Sequence, residues 1–307
     1  MQSSFISSAV EGPVTARIAS RSGREIFSAY VELTKPRITT LVVLTAAAGF
    51  CLGSKNGVDF AKLASLSFGI ALLCSGVSAL NQYIERGLDG LMHRTEARPL
   101  PSGKLAPGRA LLFGAILAGG ATVYLALAVN PLTSALGVFT LASYLFLYTP
   151  LKTRTSLSTV VGAVPGAMPP FIGWVAARGV IEVEAWVLFA ILFLWQFPHF
   201  LAIAWMYRDD YARAGIKMLP VVEPDYRVTS QQIVIYALAL VPISLLPVLV
   251  HVAGDLYLYG AIVLGSLLLY YSIRAAVVKT KWQARRLLLA SVLYLPALFG
   301  LMVLDRV

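Results

Sequence analysis

Cysteine, histidine and charge are what this 307-residue chain has least of. Its two cysteines, Cys51 and Cys74, both fall inside long apolar runs, which excludes a disulfide framework or a cysteine-based metal site. Charged residues make up 13% of the chain, against about 25% in an ordinary soluble domain. No Walker loop, serine triad, zinc motif or RNA-binding signature occurs, and no internal repeat is evident. The first thirty residues are Ser-rich and mildly basic, without the apolar core of a signal peptide. One reading of them is a weak transit peptide, against which Glu11 and Glu25 count; the other, adopted here, is a cytoplasmic tail over residues 1–37.

What the chain has in abundance is apolar length. Hydrophobic residues reach 58%, and about 20 mostly apolar residues suffice to cross a bilayer. Nine runs qualify: 38–54, 61–83, 109–129, 132–149, 157–177, 185–206, 232–253, 256–275 and 286–304. An all-α, polytopic membrane protein follows. The net charge of +10 raises nucleic acid as a partner, but its distribution argues against one. With alternating loops assigned to alternating sides, one side holds all Lys and Arg except Lys55, Lys62, Arg178 and Arg306. By the positive-inside rule that basic side, with the N-terminus, is cytoplasmic and the C-terminus lies outside. Anionic lipid headgroups would add attraction on the same side. Gly114, Gly119 and Gly120 in the third run predict close helix approach. Three prolines and three glycines in the fifth predict a helix that borders a central cavity.

The second run closes on the most telling stretch. Asn81, Glu85, Asp89 and His93 are spaced four apart, so on a helix continued to Asp89 the first three share a face. Two carboxylates at that spacing repel unless a cation lies between them, and magnesium suits such a pair, bridging carboxylates to substrate phosphates. Arg94 and Arg98 follow at the same spacing and are suited to clamping phosphate oxygens. The alternative is a helix end with solvated charge pairs, the two acids facing arginines. Ionisable groups at the end of a membrane span favour function. Downstream, Pro99, Pro101, Gly103 and Pro107 predict a loop that folds back as an ordered cap.

Two further basic segments lie on the same side. Tyr148 closes the fourth run, where it is expected at the interfacial aromatic belt, and Lys152 and Arg154 follow as either topology determinants or site residues. The sixth run carries Gln196 and His199 about one turn apart, with Pro198 beside the histidine, and Tyr207, Asp210, Arg213 and Lys217 follow it. His199 is either a packing residue beside the fifth-run prolines, bonded to a carbonyl that Pro198 exposes, or a site residue. Charged loops on one face of an apolar bundle suit a substrate with an anionic head and a long apolar tail, such as a polyprenyl diphosphate. A transporter or lipid-binding protein is the reading from another class, but its charges commonly sit deep in the spans and its halves repeat.

Asn81-x-x-x-Glu85-x-x-x-Asp89 resembles the first Asp-rich motif of the UbiA superfamily, intramembrane prenyltransferases with nine helices around a central cavity. The family motif commonly has Asp in the middle place; the extra carbon of Glu85 moves that carboxylate by roughly a bond length. Met92-x-Arg94-Thr95-x-x-Arg98-Pro99-Leu100-Pro101 is similar to the haem O synthase branch in particular. So are Tyr148-Thr-Pro-Leu-Lys152, Gly166-x-x-Pro169-Pro170-x-x-Gly173-Trp174, Trp195-Gln196-x-Pro198-His199-Phe200 and Asp210-Tyr211-x-x-Ala214-Gly215-Ile216. Ala214 stands where many members place the last Asp of a second motif.

The resemblance implies a prenyltransferase domain over 38–307 in a bacterial inner membrane, in preference to a mitochondrial one. It implies transfer of farnesyl from farnesyl diphosphate to the 2-vinyl group of haem b, with water added, or prenylation of an aromatic acceptor. Magnesium would be held by Glu85 and Asp89. Catalysis would fall to Asn81, Glu85, Asp89, Lys152 and Asp210, and substrate binding to Arg94, Arg98, Tyr148, Arg154, Gln196, His199, Tyr207 and Lys217. Membrane lipid surrounds such a protein, and a haem A synthase or oxidase assembly factors are its expected protein partners.

Overall fold

In lipid a backbone satisfies its own N–H and C=O groups only by forming a helix or a closed barrel, and each apolar run here becomes a helix. A computed structural model describes residues 22–307; most of the tail, and with it the targeting question, lies outside the described residues. Among the described residues nine helices are long and apolar enough to cross a membrane. They are α1 (Pro36–Gly53), α2 (Phe60–Asp89), α3 (Pro107–Ala128), α4 (Pro131–Leu151), α5 (Ser158–Arg178), α6 (Val183–Met206), α7 (Arg227–Leu249), α8 (Asp255–Val278) and α9 (Lys281–Leu304). The chain is a multi-pass, all-α membrane protein.

The differences from the expected spans have local causes. α2 runs past residue 83 to Asp89, through Gly87, and ends at the Gly90 cap; the apolar run stops sooner only because its last turns are polar. The end of α4 winds as a π-helix over Ser143–Tyr148, which apolar periodicity does not reveal. Within α7, Ser244 and Leu245 interrupt the helix between Ile243 and Leu246, near Pro242 and Pro247.

Each span packs on its neighbours in sequence, α9 returns to α6 and α1, and the bundle closes. α5 is the most buried span, lying against α1 and α6. Its contact with α1 has no room for side chains: a Cβ at Gly49 would lie 2.1 Å from the Pro170 carbonyl oxygen, and one at Gly173 1.9 Å from that of Ala46. α1 and α5 thus seal the half of the bundle away from the motif. The helix runs unbroken through Pro165, Pro169 and Pro170. Of the three α3 glycines expected at a helix contact, Gly114 meets Leu80 of α2, whereas Gly119 and Gly120 face open space. The expectation of close approach is corrected to that one position.

The described part of the tail also departs from expectation. Gly23–Leu33 is a helix with a Ser22–Glu25 capping box, and it buries Ala29 and Leu33 with Ala79, Leu100, Leu105 and Ala110. Tyr30 packs edge-on against Phe113 of α3. This amphipathic helix thus lays its apolar face on the bundle.

Candidate active site

Asn81, Glu85 and Asp89 project from one face of the last turns of α2, only 2%, 8% and 1% exposed. Two acids buried to that degree need partners, and each has a cation. Arg98 Nη1 lies 2.8 Å from both Asp89 carboxylate oxygens. Lys152 Nζ donates to Glu85 Oε1 at 2.6 Å. Removing one partner of such a buried pair costs about 3–5 kcal/mol, since the other charge stays behind. The solvated helix end is thereby excluded, because the partners come from the following loop and from the end of α4.

Sequence reasoning missed a third cation. Lys35, between the first short helix and α1, donates from Nζ to Asn81 Oδ1 at 3.2 Å. Asn81 Nδ2 in turn donates to Thr149 Oγ1 at 3.4 Å. Burial pulls the Lys35 ammonium down to about 8, and the charges of Arg98 and Lys152 act in the same direction. Burial also opposes the charge on Lys152, but Tyr148, Tyr144 and Glu85 outweigh it and hold that ammonium above its ordinary value. The only hint of Lys35 in the sequence was its place directly before Pro36, which reads as a helix start.

The loop after α2 folds back as expected. Thr95 Oγ1 donates to the Asp89 carbonyl at 2.8 Å, and Lys104 and Leu105 N–H groups turn onto the Pro99 carbonyl. Arg94 does not join Arg98 at the carboxylates. Its backbone N–H donates to Asp210 Oδ2 at 3.3 Å, and its guanidinium lies over the rings of Tyr207 and Tyr211. Asp210 also pairs with Arg213. These contacts tie the 2–3 loop to the 6–7 loop, which is in turn tied to the 4–5 loop by Lys217 N–H on the Lys152 carbonyl at 2.8 Å. The Lys217 and Arg154 side chains are exposed, with no acid partner among the described residues. His93 pairs with Glu96 at the surface.

Tyr148, expected at the membrane interface, instead turns inward. Its ring lies under Lys152 Nζ at 4.4 Å and occupies the space that a Cβ on Gly162 would need. The π-turn brings Tyr144 beside it, with ring centroids 5.1 Å apart. Gln196 is buried and bound to protein: Nε2 donates to the Ala163 and Leu192 carbonyls, cross-linking α6 to α5. His199 is bonded to α9. Its Nδ1 lies 2.9 Å from Ser291 Oγ of α9, and its ring stacks on Trp195. Ser291 Oγ also lies 2.7 Å from the Leu288 carbonyl; a hydroxyl proton on that carbonyl leaves Nδ1 as the donor to Ser291 and the lone pair on Nε2.

Among the described residues no three His, Cys, Asp or Glu side chains converge into a ready metal cage. The donor set nevertheless fits magnesium: two carboxylates and an amide oxygen, all hard oxygen donors on one face, suit an ion that brings its other ligands as water and phosphate.

Comparison with known proteins gives a consistent picture. Residues 42–301 match the UbiA prenyltransferase family. The protoheme IX farnesyltransferase of Solibacter usitatus is 55% identical over 286 residues, covering 90% of this chain and 98% of that protein. That of Koribacter versatilis is 49% identical, covering 90% and 93%. Among solved structures, a digeranylgeranylglyceryl phosphate synthase superposes with a TM-score of 0.77 at 18% identity, over 92% of this chain and 98% of that one. A UbiA homologue from Archaeoglobus fulgidus bound to GPP and Mg2+ superposes with a TM-score of 0.62 at 15% identity, over 89% and 99%.

Proposed function

The chain belongs to the UbiA prenyltransferase family, and on that premise we propose that it farnesylates the 2-vinyl group of haem b to give haem O. The observation that carries this is the buried Asn81–Glu85–Asp89 face with a cation on each member, in a chain so similar to protoheme IX farnesyltransferases. Glu85 and Asp89, with Asn81, would hold magnesium, which when bound offsets negative charge on the departing diphosphate. Arg98 and Lys152 stand where their positive charge can pass from the carboxylates to diphosphate oxygens, and preorganised charge of this kind lowers a barrier most in a dry site. Arg94, Lys217 and Arg154 supply further positive charge on the loops above.

The farnesyl C1–O bond breaks and its electron pair leaves with diphosphate. The vinyl terminal carbon then gives its π electrons to the allylic cation, forming the new C–C bond. Water adds to the carbon left electron-deficient and loses a proton, which completes the hydroxyethylfarnesyl side chain. The apolar walls and the tied loops keep water from the first cation. Tyr144 and Tyr148 present rings beside Lys152, where an aromatic face favours positive charge.

His199 serves the acceptor. With Nδ1 against Ser291 and the ring stacked on Trp195, Nε2 would be the atom offered to haem iron. The protein would lie in a bacterial inner membrane with the site facing the cytoplasm, and haem O would pass to a haem A synthase or an oxidase.

Purified protein incubated with labelled farnesyl diphosphate, magnesium and haem b should release labelled haem O. Label appearing instead on a hydroxybenzoate or quinone precursor would overturn the choice of acceptor. For His199, the bound haem should show a nitrogen-donor spectrum that His199→Ala removes while farnesyl diphosphate affinity holds; a surviving spectrum would return His199 to a packing role.

A further inference from the structure

Two arginines sit within spans and not in the loops between them. Arg274 lies four residues before the end of α8, and Arg286 five residues after the start of α9, about 6–8 Å along each helix axis. A charge at that depth is costly without a counter-charge, and the two helices supply none: no Asp or Glu occurs from Leu256 to Leu304. The acids of the 6–7 loop are engaged elsewhere. Asp209 pairs with Lys281 at 3.1 Å, Asp210 pairs with Arg213, and Glu223 and Asp225 accept from N–H groups at the start of α7. Among the described residues neither Arg274 nor Arg286 has an acid partner.

A long cationic side chain in a span ordinarily carries its head out to water. Arg286 instead reaches across to α8, its guanidinium 5.4 Å from the centre of the Tyr271 ring. Both residues line a cleft of about 220 Å³ between α8 and α9, and Arg286 stands at the end nearest the 8–9 turn. Farther along the two helices the walls are apolar, with Leu264 and Leu268 on one side and Leu289 and Leu293 on the other. Arg274 follows Tyr271 by three residues, which places it one turn on along the same face of α8. The cleft is thus an apolar trough with two cations at one rim. None of its walls comes from α2, the helix that bears the motif.

We propose that this cleft binds one anionic phospholipid from the leaflet on the motif's side of the membrane. An acyl chain lies along the leucines, and the phosphate takes the forked N–H groups of Arg286, with Arg274 adding charge at the same depth. The chemistry selects the occupant. A zwitterionic lipid brings a cation of its own to a rim that holds only cations. A second copy of the chain is disfavoured for the same reason: across a two-fold axis along the membrane normal it would set another Arg274 and Arg286 at the same level, like charge against like. The bound lipid would sit beside the 8–9 turn, which Lys281 ties to Asp209 of the 6–7 loop.

The test uses full-length protein in dodecyl maltoside micelles, titrated with dioleoylphosphatidylglycerol or dioleoylphosphatidylcholine, with bound lipid counted by native mass spectrometry. One phosphatidylglycerol should bind roughly tenfold to a hundredfold more tightly than phosphatidylcholine, the range for a charge-assisted hydrogen bond. Arg274→Gln with Arg286→Gln should bring the two lipids level while the lipid-free thermal midpoint stays at the wild-type value. Ala290→Phe, which fills the cleft and leaves the arginines in place, should also lose the tight site. A second arm needs no variant. In phosphatidylcholine nanodiscs, phosphatidylglycerol with a mid-chain diazirine should label the peptides holding Leu264–Leu268 and Leu289–Leu293 of the wild-type protein, and unlabelled phosphatidylglycerol should compete that label away. Equal affinity of the wild type for the two lipids, or label spread evenly over the lipid-facing spans, would overturn the site. So would a lipid-free dimer that Ala290→Phe dissolves, since the cleft would then belong to a second copy.

Discussion

Asp89 is the residue at which the two readings of the motif part company. Buried and held by Arg98, it is either a magnesium ligand or only the anchor of the 2–3 loop. Asp89→Asn keeps the shape and an oxygen toward Arg98 but removes the charge. We expect turnover to fall at least about a hundredfold, the scale on which losing one preorganised charge-stabilising group acts, with membrane insertion intact. Near-normal turnover at limiting magnesium would place the metal elsewhere. The i,i+4 spacing made the three motif positions legible, since it depends only on helix geometry. Their cations were not: Lys35 is 46 residues from Asn81 and Lys152 is 67 from Glu85. Arg98, nine residues from Asp89, was read as a phosphate clamp without its carboxylate. Gln196 and His199 drew notice as polar groups in an apolar run, but their partners Ala163 and Ser291 lie on other helices.

At the scale of the element, the α1–α5 contact and the hairpin after α5 are the most exposed to test. A methyl at Gly173 has nowhere to go but into the Ala46 carbonyl, whereas Gly119 faces open space. Overpacking costs about 1–3 kcal/mol where neighbours can shift, and more against backbone. Gly173→Ala should lower the thermal midpoint or abolish folded yield; Gly119→Ala should do neither, and equal behaviour of the two would contradict the seal. Across the α5–α6 turn, Glu182 accepts from Arg178 Nε and Nη2 and from Trp174 Nε1. The Arg178 guanidinium, aided by the indole N–H, holds this carboxyl down near 2, against an ordinary value of 4.5. A depressed folded pKa gives stability that is complete above the unfolded value and lost as pH falls through the folded one. The advantage in thermal midpoint over Glu182→Gln should thus be constant from pH 7 to about 5 and shrink from about 4.5 toward 2. An advantage independent of pH would mean the carboxylate charge contributes nothing.

For the whole molecule the question is which face carries the site. The carboxyl end is pinned to the opposite side: Gly254 N–H donates to the Asp305 carbonyl, Tyr257 N–H to Asp305 Oδ2, and Arg306 Nη1 to the Cys51 carbonyl. Cys51 lies at the end of α1 away from Lys35. The positive-inside rule assigns the basic loops to the cytoplasm, and on that assignment a phosphatase fused after Val307 should be active in the periplasm and a fluorescent protein there dark. The reverse pattern would invert the orientation and with it the cytoplasmic site.

The sequence alone determined the number of spans, the helical class, the motif face and the family resemblance. Each of these is a local property, readable from hydropathy over about 20 residues or from residues a helical turn apart. Tertiary structure decided that the stretch at 23–33 is packed rather than loose, that α1 and α5 seal one half of the bundle, and that Lys35 belongs to the site. It also set which cation meets which acid. Those pairings join residues on separate helices, and only the packed bundle, driven by shape and by the need to satisfy buried charge, brings them within a hydrogen bond of each other.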